Sequence, residues 1–163
     1  MIALALPHHP NRPCADLGRE FVRRFLLRYR FHGSILSRVG ASGKPGAVHY
    51  DHKTSTQAAL LYRQASRDYM PIHADPDIAR KAGFERPISH GLNTLGLACR
   101  AALKHFAPRQ PEKLISMSVR FAAPAYPGDT IRIELIDDGG GRFGARAAER
   151  DVLVLDRGEI GLV

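Results

Sequence analysis

Apolar positions along the chain follow a helical period first and a strand period later. Between Thr54 and Ser66, Ala58, Leu61, Tyr62 and Ala65 recur at spacings of three and four, which predicts a helix with one apolar face. Thr54 or Ser55 stands where a cap belongs. Asp75 as N-cap, Pro76 at the first helical position and Gly83 past the end frame a second, two-turn helix. The longest helical stripe runs from Gly91 to Phe106 through Leu92, Leu95, Cys99, Ala102, Leu103 and Phe106. Gly96 and Ala98 are small, so close packing around this helix is expected. Asp68 to Ala74 reads as a loop.

The last third changes to a period of two. Ile115, Met117, Val119 and Phe121 alternate with Ser116, Ser118 and Arg120, and Ile131, Ile133 and Leu135 alternate with Arg132 and Glu134. Gly139-Gly140-Gly141 reads as a turn and Arg142 to Leu155 as one long or broken strand. Asp156-Arg157-Gly158 then reads as a turn into a final strand, Glu159 to Val163. Val48 to Lys53 is a further short strand. Helices early and antiparallel strands late predict an α+β fold, with a sheet wrapped around the one long apolar helix.

Composition adds limits. A chain of 163 residues fits one domain. No apolar run approaches the 18 or so residues of a membrane span. Met1 to Leu6 is apolar but too short for a signal-peptide core. The two cysteines, Cys14 and Cys99, make no disulfide framework. Cys99 reads as a buried free thiol, and a reducing cytoplasm is the expected compartment. The net charge of +8 is uneven, with +6 on residues 1–45 and +2 on the rest. Residues 1–46 therefore read as a basic arm, irregular or with a short helix from Gly18 to Tyr29, joined by a linker at 41–46. Arg23, Arg24, Arg28 and Arg30 suggest an anionic surface or nucleic acid, but no zinc pattern or RNA-binding motif supports that, and a solvated arm is the plainer reading.

The chemistry concentrates between Asp68 and Gly91. Asp68 and His73 are five apart, with Pro71 between them stiffening the turn. A carboxylate can take a proton from water, and an imidazole can hold that water or deliver a proton. On spacing alone the plainer reading is a loop aspartate and a histidine that meet backbone groups. Gly91 opens the long helix, where unpaired N–H groups and the helix dipole stabilise a growing oxyanion. His90 beside it reads as a structural hydrogen-bonder or an acid.

The runs Leu60-Leu61-Tyr62-Arg63, Asp68-Tyr69-Met70-Pro71-Ile72-His73-Ala74-Asp75-Pro76 and Ala82-Gly83-Phe84-Glu85-Arg86-Pro87-Ile88-Ser89-His90-Gly91-Leu92 resemble the MaoC-like, (R)-specific enoyl-CoA hydratase family. Ser118 to Pro124 and Pro127-Gly128-Asp129 extend the resemblance over residues 47–163. It implies a hot-dog fold, an antiparallel sheet around a long helix. It implies hydration of trans-2-enoyl-CoA to (3R)-hydroxyacyl-CoA, or the reverse, with no metal and no separate cofactor, CoA being part of the substrate. Asp68 and His73 become the catalytic pair and Gly91 the oxyanion donor, with Met70, His90 and Asn93 at the substrate. Arg100, Lys104 or Arg120 are candidates for the CoA phosphates. A second hot-dog subunit, identical or related, is expected to complete the site. The chain departs from the family signature at two places. Met70 replaces an asparagine, so an amide becomes a thioether, a weak acceptor and no donor, and Arg67 replaces a glycine. The first departure motivates an alternative: a catalytically weakened hot-dog that binds acyl-CoA or serves as the structural subunit of a heteromeric hydratase.

Overall fold

The computed structural model describes residues 2–4, 47–137 and 141–163. All of the expected basic arm but residues 2–4, with its helix and Cys14, and most of the triple-glycine turn lie outside them. Among the described residues, six strands form one sheet: β1 (Ile2–Leu4), β2 (Ala47–Lys53), β3 (Leu114–Phe121), β4 (Thr130–Ile136), β5 (Arg142–Ala147) and β6 (Val152–Leu162). The order is β1-β3-β6-β5-β4-β2, and every neighbouring pair is antiparallel. β1 is an addition to the sequence reading, since the apolar start of the chain pairs with the edge of β3.

β2 and β3 are consecutive strands, yet β4, β5 and β6 separate them. The chain between them must therefore cross the sheet, and it does so as α1 (Ala58–Ser66), α2 (Pro76–Lys81) and α3 (Gly91–Phe106). α3 lies against β3, β4, β5 and β6. Its buried face is Thr94, Leu95, Ala98, Ala101 and Ala102. The sheet answers with larger side chains, among them Val119, Ile131, Ile133, Leu135, Val154 and Leu155, all nearly or wholly buried. Three alanines let the helix axis approach the sheet, while the branched residues fill the space between them at interior density. Ala98 is fully buried as the sequence suggested, but Gly96 is on the exposed side with no atom within 4 Å of where its Cβ would lie. Cys99 is a free thiol, only partly buried, and burial pushes its pKa up.

Asp75 caps α2 as expected, accepting from the Asp77 and Ile78 N–H groups at 2.8 and 3.1 Å, and Gly83 follows with φ +88°. Two expectations are corrected. The first helix starts at Ala58 rather than Thr54, and Thr54 does not cap it, while the Ser55 hydroxyl accepts from the Gln57 N–H at 3.1 Å in the turn that enters the helix. Thr54 is instead buried, donating its hydroxyl to the Asp129 carbonyl at 2.8 Å and accepting from the Gly128 N–H at 3.0 Å. It ties the end of β2 to the Pro127-Gly128-Asp129 corner. There the Asp129 carboxylate accepts from Arg150 at 2.7 Å and from the Tyr126 N–H at 2.9 Å.

The second correction is Asp156-Arg157-Gly158, which is not a turn. β6 runs through it, and the real break falls at Ala148–Asp151, between β5 and β6. Turn-forming residue types sit there because β6 bulges: Arg157 adopts φ 53°, and the register shifts on both sides of the strand. Gly158 is required by space. A Cβ there would lie 2.5 Å from the Phe143 carbonyl and from its ring. We predict that Gly158→Ala destabilises by about 2 kcal/mol or more, since backbone on a paired strand cannot give way, measurable as a lower urea midpoint. Arg67, which ends α1, has φ 58° and ψ 23°. That left-handed conformation suits glycine, the residue the resembled family carries there. Arg67→Gly is expected to raise stability by about 1 kcal/mol in the same experiment.

Candidate active site

The segment after α1 folds back on itself. The Met70 N–H donates to Asp68 Oδ1 at 3.2 Å, closing a small turn that fixes the carboxylate. Pro71 then starts one turn of 3₁₀ helix, Pro71–His73, within what the sequence suggested as loop. The segment entering α3 runs alongside: the Ile88 N–H donates to the Ile72 carbonyl at 3.2 Å, and Ser89 N–H to Ala125 at 2.8 Å. His73 and His90 are thereby brought face to face. Their rings stack with centroids 3.7 Å apart and planes 23° apart.

The tautomers follow from the partners. His73 Nδ1 lies 2.8 Å from the Ile88 carbonyl, which can only accept, so Nδ1 carries the hydrogen and Nε2 is bare. His90 Nε2 lies 3.3 Å from the Asp68 main-chain oxygen and 4.0 Å from Asp68 Oδ2. Both are acceptors, so Nε2 carries the hydrogen there and Nδ1, buried with no partner among the described residues, is bare. Asp68, His73 and His90 each offer one donor atom for a metal within 4.8 Å of the others. A metal at His90 Nε2 would require the opposite tautomer, turning a buried, partnerless Nδ1 into an unsatisfied N–H donor.

Burial holds both imidazoles below the ordinary histidine pKa, and for His90 the neighbouring His73 adds to this. Burial likewise pushes the Tyr62 phenol up, with the Asp68 charge adding. Tyr62, whose ring lies 4.8 Å from His90, and Arg63, whose guanidinium covers the Tyr69 ring at 5.1 Å, were not among the sequence candidates. The position of Tyr62 in a helical stripe made it look like simple core. Gly91 opens α3 as expected, and its N–H has no protein acceptor among the described residues. Sequence did not suggest a neighbour across from it: a Cβ at Gly91 would stand 2.9 Å from the Phe121 ring, which would have to shift. Met70 is half-buried and serves Asp68 through its backbone. Asn93 is in the first turn of α3, where its N–H donates to the His90 carbonyl at 3.0 Å; no hydrogen bond joins its amide to Asp68, His73 or His90 among the described residues.

The lowered imidazole values make stability depend on pH. The unfolded chain takes up protons near the ordinary value of 6.5, before the folded one does. The contribution is fully present above that pH and is lost as pH falls through the lower, folded values, at up to about 1.4 kcal/mol per pH unit for each group. Urea midpoints measured from pH 7.5 down to 5 are expected to fall, and less steeply in a His73→Asn, His90→Gln double variant.

Comparison with known proteins agrees with this geometry. The family model described as MaoC like domain matches residues 39–154. Peroxisomal multifunctional enzyme type 2 of Mus musculus is 41% identical over 120 residues, covering 73% of this chain and 16% of that protein. A probable enoyl-CoA hydratase 2 of Dictyostelium discoideum is 45% identical over 82 residues, 50% of this chain and 28% of that one. The crystal structure of a MaoC-like dehydratase from Phytophthora capsici superposes with a TM-score of 0.71 at 35% identity, covering 80% of this chain and 44% of its own. The chain thus spans less than a third of these two curated relatives. Fold, motif positions and these matches together place the chain in the MaoC-like domain family, with its hot-dog fold.

Proposed function

We propose that this chain hydrates trans-2-enoyl-CoA to (3R)-hydroxyacyl-CoA, or runs the reverse dehydration. The observation that carries the reading is the convergence of the Asp68 carboxylate with the imidazole of a neutral His73, a ring nitrogen of which lies within 4.8 Å of a carboxylate oxygen. Two acceptors at that spacing hold one water by both its hydrogens. As the water oxygen bonds to C3, one acceptor takes its proton. The electron pair moves toward the thioester oxygen, where the Gly91 N–H and the α3 dipole stabilise it. A proton returned to C2 completes the addition. No atom changes hands with a redox partner, so the reaction calls for no redox cofactor, and the proton acceptors are protein groups, so it calls for no metal.

Among the cations suggested for CoA, Arg120 is paired with Asp156 and Lys104 lies over the Tyr50 ring at 5.3 Å, while Arg100 is exposed on α3. Arg100 is the one we favour. A second hot-dog subunit, most simply an identical copy, covers the exposed Leu60, Leu61 and Tyr69 on α1 and the loop after it.

Met70 supports a second reading, an acyl-CoA-binding or structural subunit of a heteromer. Its backbone N–H still holds Asp68, but the amide of the family's asparagine is lost. Turnover assays with crotonyl-CoA and a longer enoyl-CoA separate the two. The hydratase is expected to turn over at least one, and Asp68→Asn or His73→Ala to lower kcat about 100- to 10,000-fold. Tight binding with no turnover at any chain length would leave only the second reading.

A further inference from the structure

We infer that His90 is a positioning residue of the dyad: donating from Nε2 to the Asp68 main-chain carbonyl and stacked on His73, it sets the separation of the two groups that hold the water. The kinetic part of this inference rests on the hydratase reading, and the tautomeric part on geometry alone.

His90 occupies a place where its own structural role is weak. It is the residue before α3, where Ser, Thr, Asp or Asn would hydrogen-bond the first-turn N–H groups, and it makes no such cap. It is only 2% exposed, yet its Nδ1 has no partner among the described residues. An imidazole kept at a capping position without capping, and buried with one nitrogen unsatisfied, carries two separate costs. A leucine or phenylalanine would fill the volume without the second, and an asparagine would avoid the first.

The polar contact His90 does make is to Asp68. The bond joins the start of α3, anchored in the core, to the turn that carries the carboxylate. The ring stack joins the same residue to His73. The Tyr62 ring packs against the same imidazole, with centroids 4.8 Å apart. Asp68 and His73 are thus both referenced to one buried ring rather than only to their own loop. Displacements of about 1 Å at such a pair are enough to cost on the order of 100-fold in rate.

Two variants and one spectrum test this. His90→Phe keeps a ring against His73 and removes the donor to Asp68; His90→Gln keeps a donor and removes the ring. With folding verified by circular dichroism, His90→Phe is expected to lower kcat about 10- to 100-fold with KM changed less than about twofold. His90→Gln is expected to recover part of that loss. Nitrogen-15 NMR of the wild-type imidazoles is expected to show opposite tautomers, Nε2–H for His90 and Nδ1–H for His73. Wild-type kcat in a folded His90→Phe protein, or a His90 protonated on Nδ1, overturns the inference. If the wild-type chain turns over no enoyl-CoA, the hydratase reading fails instead, and the His90 tautomer decides the positioning role by itself. A variant that fails to fold passes the kinetic test to the other.

Discussion

The close seating of α3 on the sheet is the constraint from which the rest follows. Its buried face is dominated by alanine, and the inward positions of β3 to β6 are dominated by branched residues. Small against large sets the distance between helix axis and sheet, and a core at interior density leaves little freedom along that axis. The N-terminal end of α3 is consequently fixed with respect to the whole domain. His90 and Gly91 stand at that end, so their backbone and ring positions inherit the rigidity of the core rather than the mobility of a loop.

Around that end the chemistry is one of neutral rings beside a carboxylate. Each histidine meets an acceptor that decides which nitrogen holds its hydrogen, and burial disfavours the cation of both. A stacked pair so close cannot readily become doubly charged. The outcome is a neutral His73 whose ring stays close to Asp68, with a backbone donor opening the adjacent helix. The same burial that keeps both imidazoles neutral also lowers stability in acid, because the unfolded chain accepts the protons that the folded one resists.

Much of the fold was legible because its signals are local. The period-two runs in β3 and β4, the apolar stripe of α3 and the Asp75-Pro76 start of α2 each follow from a few neighbouring residues. The errors arose where one residue type serves two geometries. Asp156-Arg157-Gly158 has the composition of a turn, but a bulge inside a strand also needs a left-handed residue and a residue without a side chain. Thr54 looks like a helix cap, but its hydroxyl is taken by a backbone corner far along the chain, at Gly128 and Asp129. No local pattern carries that competition.

For the site, sequence alone determined the identities and the order: an acid, a proline turn, a histidine, then His-Gly at the head of a long apolar helix. Those follow from residue chemistry and from spacing, which the chain fixes by itself. Tertiary structure alone decided the rest. The stack of His73 on His90 joins residues 17 apart, and the choice of tautomer depends on the Ile88 and Asp68 carbonyls. The space beside the Gly91 backbone is bounded by the Phe121 ring, thirty positions away. A side chain's protonation, and the space beside a backbone atom, are set by whatever the fold brings within a few ångströms, and that is a property of the packed chain rather than of its neighbours in sequence.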